Sequence, residues 1–302
     1  MSGWNLVFCL SVKKSSYTVY CLKVFVERVS FSDACLSRIP QNHGAFKCCL
    51  TCKFPMKNYG QTLLYYLWLD IKQIMFRTKY KAEFDVTDKC NLRCKNCYHF
   101  QSKDIKTQEL QTSVWAKRFN RLYKSGIRAV LLVGGEPALK LDVLMLADKT
   151  FPLVHVITNG TIKIPKQFNH RLFVSIDGLP KTNNAIRGNG VFSRVIENYS
   201  QDKRVIINMT LRIDNYKELE DVIRIAEENL FDGVVCNICG VETDINSSLA
   251  VRKKERAAKI TEMKRVKSLY PKRFLMTKAM IKNGMNIQTI ETTVIGATIV
   301  FI

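Results

Sequence analysis

The 302 residues include 47 Lys and Arg against 26 Asp and Glu, a formal net charge of +21, and 47% of them are hydrophobic. A hydrophobic fraction of this size excludes a globally disordered chain, and the length suffices for one catalytic domain with appendages. The basic excess is densest toward the two ends. It suggests nucleic acid as a ligand, although a lysine-rich solvated surface explains it about as well.

Cysteine usage and the N-terminus indicate the compartment. The 11 cysteines are an odd number, which favours reduced thiols and metal ligation over a disulfide framework. The N-terminus lacks the basic region and small-residue cleavage site of a signal peptide. No apolar run reaches the roughly 18 residues of a membrane-spanning helix. We therefore expect a soluble, cytoplasmic protein without a membrane span.

Two segments precede the main pattern of the chain. Residues 1–55 match no motif and form an unassigned N-terminal segment, or an over-extended start upstream of the true initiation site. Three cysteines near its end are interpreted as free thiols rather than as auxiliary metal ligands: Cys48, Cys49 and Cys52. In residues 56–79, apolar side chains at helical spacing from Gln61 to Met75 predict an amphipathic lead-in helix.

Residues 80–240 alternate between strand and helix patterns. Helices are predicted over 108–125, closed by Gly126, and over 215–230. The run Ala129–Val133 is apolar throughout, which is typical of a strand buried on both faces of a parallel sheet. We therefore predict an α/β fold with six strand–helix units, whose strands centre on Phe84, Val130, Val154, Val174, Ile206 and Val234.

The C-terminal part, residues 241–302, is predicted to be a helical extension. Its first helix runs from about Leu249 to Leu269 and is followed by Pro271 and a further short helix. The last ten residues, 293–302, form an apolar tail that is too short to span a bilayer.

The candidate metal ligands follow the first of the six strands. Cys90, Cys94 and Cys97 have Cys-x3-Cys-x2-Cys spacing, and thiolates this close on one loop can converge on an iron–sulfur cluster or on zinc. With three protein ligands, a four-iron cluster keeps one iron open for another ligand. The alternative is a zinc knuckle completed by His99.

The residues that follow decide between these alternatives. An aromatic residue, Tyr98, comes directly after the third cysteine, and further motifs follow in order at the ends of predicted strands: Gly134–Pro137, Thr158–Gly160, Ser175–Gly178 and Ile186–Gly188. This series resembles the radical S-adenosylmethionine (radical SAM) superfamily over residues 80–240. The resemblance implies a partial (β/α)6 TIM-like barrel with N- and C-terminal appendages.

The resemblance also implies the cofactors. Cys90, Cys94 and Cys97 would hold a [4Fe–4S] cluster whose open iron is chelated by S-adenosylmethionine. One electron from the reduced cluster would cleave the sulfonium bond and release a 5′-deoxyadenosyl radical. Because the radical arises at the cluster, no side chain is assigned as catalytic.

Seven further residues are candidate contacts for S-adenosylmethionine. By the resemblance, the Gly134-Gly135-Glu136 motif receives the methionyl ammonium: the glycines allow close backbone approach and Glu136 offers a carboxylate. Its alternative is a strand-to-helix turn. Tyr98 would pack near the adenine, or is a core aromatic residue. Asn159 would contact the cofactor or form a turn.

The remaining candidates follow the fourth strand of the predicted barrel. Ser175 and Asp177 are placed two apart on this strand and therefore on one side of it. Ser175 is preferred as a cofactor ligand, and Asp177 as either a ligand or a turn-former. Arg187 would grip the methionyl carboxylate or form an ordinary surface salt bridge. Cys236 and Cys239 are interpreted as buried free thiols, because two ligands do not complete a second cluster.

The motifs are most similar to the branch with peptide maturases and molybdenum-cofactor cyclases. We therefore expect a peptide or a small-molecule cofactor precursor as substrate, and a flavodoxin or ferredoxin as electron donor. An RNA-modifying enzyme is the alternative suggested by the net charge, and nucleic acid is not favoured. A second alternative is a non-catalytic iron–sulfur or zinc-binding relative.

Overall fold

The computed structural model describes a chain of two compact units, Met1–Cys52 and Lys53–Ile302. The described residues are 6–9, 21–24, 69, 73, 79–95, 97–101, 109–239 and 249–283. In the first unit, strand β1 (Leu6–Cys9) pairs antiparallel with strand β2 (Cys21–Val24). The cysteines at positions 48, 49 and 52 lie outside the described residues, so their predicted state stays a prediction.

The second unit is built on a parallel sheet of six strands. Their order in the sheet is their order in the chain, and the sheet does not close among the described strands. The predicted six-stranded partial barrel is therefore confirmed. The strands are β3 (Lys81–Asp85), β4 (Ala129–Val133), β5 (Leu153–Thr158), β6 (Leu172–Ser175), β7 (Val205–Leu211) and β8 (Gly233–Ile238).

Helices connect and extend these strands. Single 3-10 turns precede α3 and α6, at Pro137–Lys140 and Tyr216–Glu218. The α-helices are α1 (Tyr98–Gln101), α2 (Thr112–Lys124), α3 (Leu141–Thr150), α4 (Pro180–Arg187), α5 (Val191–Tyr199), α6 (Leu219–Glu228), α7 (Leu249–Leu269) and α8 (Lys278–Asn283). Among the described helices, none is long and apolar enough to cross a membrane.

The predicted helices agree with the observed ones apart from their ends. Helix α2 begins at Thr112 rather than near residue 108, because Gln111 has an extended backbone with φ −68° and ψ 151°. The chain leaves this helix through Gly126, whose φ of +107° favours glycine. Helix α7 has the predicted bounds. The apolar face predicted for 215–230 is buried as expected at Leu219, Val222, Ile223 and Ala226.

The main core lies between the sheet and its covering helices. Every residue of β4 is buried, as expected for a parallel strand covered on both faces. Val130 and Leu132 belong to one apolar cluster with Phe119 of α2 and Leu144 of α3. Successive strand residues point to opposite faces, so the intervening residues of β4 face the other side of the sheet.

That other side becomes polar toward the carboxyl ends of the strands. Ser175 is next to Asn208 in the register of β6 and β7, and Thr210 is next to Asn237 in that of β7 and β8. The Asn237 Nδ2 donates a hydrogen bond of 3.1 Å to the Asn208 Oδ1. Parallel barrels build their sites at this end of the sheet.

The lead-in helix lies largely outside the described residues, of which Leu69 and Gln73 are helical. Leu69 is only 3% exposed and clusters with Tyr80, Ala129 and Leu153. Its side chain therefore covers the amino-terminal ends of β4 and β5. The apolar tail beyond residue 283 is outside the described part of the chain.

Candidate metal centre

The cysteine loop is docked on the segment that follows β4. The Val86 N–H donates to the Val133 carbonyl at 3.0 Å, which continues the sheet by one residue beyond β3. The Gly135 N–H then donates to the Thr87 carbonyl at 2.8 Å, and the Glu136 N–H to the Lys89 carbonyl at 2.9 Å. These bonds set the position of the backbone immediately before Cys90.

The two glycines of this segment allow that docking. A Cβ at Gly134 would lie 2.5 Å from the Thr87 carbonyl oxygen, and one at Gly135 would lie 2.2 Å from that of Lys89. Gly134 also has a φ of +123°. The close backbone approach predicted for these glycines therefore exists, and it is made by the chain's own cysteine loop.

Glu136 is 0% exposed, and both of its carboxylate oxygens have protein donors. Oε1 accepts from the Ala138 N–H at 2.8 Å and the Thr158 hydroxyl at 2.6 Å. Oε2 accepts from the Asn159 N–H at 2.7 Å. Burial raises the pKa of Glu136, and these hydrogen bonds oppose the shift. The side chain thus joins the ends of β4 and β5.

Asn159 connects the end of β5 to the cysteine loop. Its Nδ2 donates to the Asn91 Oδ1 at 2.9 Å, and Asn91 in turn donates to the Thr161 hydroxyl at 2.8 Å. That hydroxyl donates back to the Asn159 Oδ1 at 2.7 Å, which closes a ring of three side chains. The Asn159 Nδ2 is also 3.9 Å from the Cys90 Sγ. The sequence reasoning missed Asn91 and Thr161, although Asn91 directly follows the first cysteine.

Cys90, Cys94 and Cys97 are all free thiols. Burial raises the pKa of Cys90, and the nearby Glu136 and Cys97 raise it further. Burial also raises the pKa of Cys94, while the Arg187 guanidinium opposes that shift. The Leu92 N–H donates to the Cys90 Sγ at 3.4 Å. Cys90 and Cys94 therefore interact electrostatically with Cys97, and the Cys90 sulfur already has an N–H donor.

A second anchor of the cysteine loop comes from the segment after β6. The Lys95 N–H donates to the Ile186 carbonyl at 2.8 Å. The next residue, Arg187, forms an ion pair with Asp177, with Nη2 and Oδ2 2.7 Å apart. The predicted alternative of a salt bridge is therefore correct, but the pair is buried rather than on the surface.

The structure corrects the placement of Asp177. Strand β6 ends at Ser175, so Asp177 lies in the following loop and does not share a strand face with Ser175. Its backbone N–H donates to the Asn183 side chain at 2.9 Å, and its Oδ1 accepts from the Thr210 N–H at 2.9 Å. Ser175 is 7% exposed at the strand end. Tyr98 begins α1, and its side chain lies outside the described part.

Glu109, which the sequence reasoning did not single out, bonds the start of the cysteine loop and forms a salt bridge with Lys140. The Glu109 Oε1 accepts from the Thr87 hydroxyl at 2.6 Å and from the Asp88 N–H at 3.1 Å. Its other oxygen lies 3.5 Å from the Lys140 Nζ. Glu109 therefore holds the start of the cysteine loop against the 3-10 turn after β4.

The zinc alternative finds no support among the described side chains. No group of three His, Cys, Asp or Glu residues within that part of the chain is arranged to hold a single metal ion. The His99 Nε2 lies 3.1 Å from the Asp88 carbonyl oxygen. Thiols that bind different irons of a cluster need not converge on a single point, so this result does not conflict with a cluster.

The two remaining described cysteines differ in burial. Cys236 is fully buried in the apolar core, and this burial raises its pKa well above the usual value. Cys239 follows β8 and is partly buried, and its N–H donates to the Leu211 carbonyl at 3.0 Å. Neither forms a disulfide, and the interpretation as free thiols rather than auxiliary metal ligands stays a prediction.

A model of the radical SAM superfamily matches residues 84–244, which is more than half of the chain. The chain belongs to the radical SAM superfamily. The cofactors of this superfamily are a [4Fe–4S] cluster and S-adenosylmethionine. The predicted family, fold and cofactor classes are therefore confirmed.

Two curated radical SAM relatives match about half of the chain. Pre-heme d1 synthase of Dinoroseobacter shibae is 27% identical over 164 residues, which are 49% of this chain and 41% of the relative. Fe-coproporphyrin III synthase of Methanosarcina barkeri is 30% identical over 163 residues, which are 48% of this chain and 40% of the relative. The matched segment thus spans about two fifths of either relative.

A solved structure, that of native anSMEcpe with bound AdoMet, has the same fold. The TM-score is 0.50 at 18% identity, and the alignment covers 63% of this chain and 59% of the other. Sequence identity this low supports the fold and nothing finer.

The described residues fit a radical SAM cluster. Three free thiols lie on one loop, and N–H groups of Leu92 and Asn159 face the Cys90 sulfur. The Arg187 Nε is buried beside them and has no hydrogen-bond partner among the described residues. Thiolate ligands, donors to sulfur and local charge are the features by which proteins bind and tune iron–sulfur clusters.

Proposed function

We propose that the protein is an enzyme that reductively cleaves S-adenosylmethionine at a [4Fe–4S] cluster held by Cys90, Cys94 and Cys97. The observation that carries this proposal is the docking of the cysteine loop. Free thiols on one loop are positioned by backbone bonds to Gly135 and Glu136, and by the side-chain ring around Asn159.

When bound, the cluster and S-adenosylmethionine supply a 5′-deoxyadenosyl radical through one-electron cleavage of the sulfonium bond. The protein contributes by holding the thiols of the cysteine loop in position. The Glu136 carboxylate joins the ends of two strands, and these strand ends support the loop that carries the thiols.

The hydrogen bonds of Glu136 bear on which atoms of the Gly134-Gly135-Glu136 motif would contact S-adenosylmethionine. Because both Glu136 oxygens already accept hydrogen bonds from the protein, we assign the methionyl ammonium mainly to backbone carbonyls of Gly134 and Gly135, with Oε2, which accepts only one bond, as a further contact. Ser175 is proposed as a ligand because its hydroxyl lies at the carboxyl end of β6. Asn159 contributes mainly through the cysteine loop. The proposed packing of Tyr98 on the adenine rests on its position after Cys97.

The proposed substrate is a peptide or a small-molecule cofactor precursor, with the cofactor precursor preferred. Two relatives that match the same half of the chain are named for the synthesis of pre-heme d1 and of Fe-coproporphyrin III. A flavodoxin- or ferredoxin-class protein is the proposed electron donor. The enzyme is proposed to act in the cytoplasm, where iron–sulfur chemistry finds a reducing environment.

The test is anaerobic reconstitution with iron and sulfide, followed by reduction in the presence of S-adenosylmethionine. We expect about four irons per chain, as the cluster formula requires, and release of 5′-deoxyadenosine. The Cys94→Ala variant should lose both properties. Stoichiometric zinc without a cluster would refute the proposal, and a cluster without cleavage would indicate a non-catalytic relative.

A further inference from the structure

Arg187 is the last residue of α4 and lies beside the cysteine loop. The backbone bond from Lys95 to Ile186, 2.8 Å long, joins the residue after Cys94 to the residue before Arg187. The arginine side chain is only 12% exposed. A guanidinium remains protonated at all physiological pH values, so this position holds a permanent positive charge.

The position of this charge is set by Asp177. The Asp177 side chain is 4% exposed, and its Oδ2 is 2.7 Å from the Arg187 Nη2. Its Oδ1 accepts from the Thr210 N–H at 2.9 Å, and its own carbonyl accepts from the Asn215 Nδ2 at 2.8 Å. Bonds to α4, to β7 and to the segment after β7 thus leave the carboxylate little freedom, and the guanidinium is held with it.

One edge of the guanidinium is not used by Asp177. The Arg187 Nε is buried and has no hydrogen-bond partner among the described residues. Buried donors without a partner are rare in folded proteins because leaving them unpaired is unfavourable. This donor is therefore able to bond an acceptor that arrives with the bound cofactors.

The positive charge of Arg187 acts on the thiols of the cysteine loop. Of the charged groups acting on Cys94, the Arg187 guanidinium has the largest effect, and that of Asp177 is smaller and of opposite sign. Arg187 also interacts electrostatically with Cys97. Arg187 therefore acts on two of the three proposed cluster ligands, from a position fixed by the Lys95–Ile186 backbone bond and the Asp177 ion pair.

We propose that Arg187, held in place by Asp177, is a positioning residue that stabilises the reduced state of the cluster. The inference depends on the proposed function, since it requires a cluster on Cys90, Cys94 and Cys97. Reduction transfers one electron from a flavodoxin- or ferredoxin-class donor to the cluster, and the donor is oxidised by one electron. The added negative charge is stabilised by a nearby buried cation, because such a charge is poorly screened.

The test is a redox titration of the reconstituted protein, monitored by electron paramagnetic resonance without S-adenosylmethionine. Because S-adenosylmethionine is absent, a change in potential reports an effect of Arg187 on the cluster and not its binding to a methionyl carboxylate. Arg187→Gln should shift the midpoint potential to a more negative value, and Arg187→Lys should keep it close to that of the wild type. Arg224→Gln is the matched control, because it removes one positive charge from the exposed face of α6 and should leave the potential unchanged.

A double variant controls for the possibility that Arg187→Gln disturbs folding. Arg187→Gln leaves the Asp177 carboxylate buried without its cation, which is unfavourable. Asp177→Asn combined with Arg187→Gln removes both charges, and it should still shift the potential to a more negative value, by less than Arg187→Gln alone.

The outcomes separate this inference from the proposed function. If wild-type protein binds no cluster, the proposed function fails and the inference fails with it. If the wild type binds a cluster but the charge-removing variants keep its potential, only the inference is overturned. Unchanged potentials together with weaker binding of S-adenosylmethionine would make Arg187 a ligand of that cofactor instead.

Discussion

Different kinds of interaction stabilise two regions of the molecule: the apolar core between the sheet and its helices, and the candidate site at the carboxyl ends of the strands. Phe119 packs against the rings of Trp115 and Phe151, each with a centroid distance of 5.3 Å, and is one of many buried apolar side chains. The site depends on a small set of directed bonds, such as those from Gly135 and Asn159. Dispersion contacts are numerous and individually weak, whereas each directed bond fixes one atom. Stability and cofactor binding should therefore be separable by mutation.

The largest expected effect on stability tests the core. Phe119→Ala should lower the free energy of unfolding by about 3–5 kcal/mol, because it leaves a cavity among buried aromatic side chains. Urea unfolding of the unreconstituted protein measures this loss. The fraction that remains folded should bind as much iron as the wild type, and a loss of iron there would show that the two regions are not separable.

The next largest effect tests the site. In Gly135→Ala the new Cβ meets the Lys89 carbonyl at 2.2 Å, so the backbone before Cys90 must move. We expect most of the iron to be lost after reconstitution, with a stability cost of about 1–3 kcal/mol from the overpacking. Gly126→Ala is the control: its Cβ would meet nothing within 4 Å, so any backbone strain from its φ of +107° arises without a contact to the cysteine loop. Equal iron loss in both variants would show that the contact with the Lys89 carbonyl is not the cause.

An acid titration tests how His155, a buried residue of β5, contributes to the pH dependence of stability. Burial lowers the pKa of His155 to about 3, and the nearby His170 and Arg171 contribute. The unfolded chain therefore binds a proton near pH 6.5 that the folded chain does not bind, so stability falls as the pH drops from 6.5 toward 3. The slope contributed by one such group is at most about 1.4 kcal/mol per pH unit.

The His155→Phe variant isolates this contribution. Its ring takes the place of an imidazole that already packs edge-on to Phe173, with a centroid distance of 5.6 Å. Stability measured by urea unfolding between pH 4 and 7 should depend less steeply on pH than in the wild type. Identical slopes in the two proteins would rule out His155 as the source.

The smallest effect concerns the side-chain ring of the cysteine loop. Asn91→Ala removes hydrogen bonds to Asn159 and Thr161, each worth about 0.5–1.5 kcal/mol. We expect faster loss of iron to a chelator, because the residue after Cys90 is no longer held. Asn229→Ala is the control, since its side chain donates to the Ile225 carbonyl at 2.9 Å at the end of α6, in a segment that does not bond the cysteine loop. It should lower stability by the loss of one hydrogen bond and leave iron release unchanged.

The fold was predictable because its signal is repeated along the chain. Buried parallel strands such as Ala129–Val133 are recognisable from their unbroken apolar runs. The helix of Leu249–Leu269 was predicted with its observed bounds. The end of β6 was harder: Ser175-Ile176-Asp177 has alternating polarity, yet the strand stops at Ser175 because the backbone of Asp177 bonds to the Asn183 side chain.

The site was predictable in its members and less so in their roles. Cysteine spacing and motif order identify the cofactor class. They do not show that the Glu136 carboxylate accepts three hydrogen bonds from the protein, or that Arg187 is paired with Asp177. Each of these contacts joins residues that are far apart in the chain or lie in irregular loops, where no periodic pattern reveals a partner.

The sequence by itself determined the order of strands and helices, the superfamily and the identity of the candidate cluster ligands. These depend on local patterns: apolar periodicity, the spacing of Cys90, Cys94 and Cys97, and glycines at strand ends. Only the tertiary structure decided which polar groups are hydrogen-bonded by the protein itself and which, like the Arg187 Nε, have no partner among the described residues. Hydrogen bonding between distant segments depends on distances of a few tenths of an ångström, and these are set by the packing of the whole sheet.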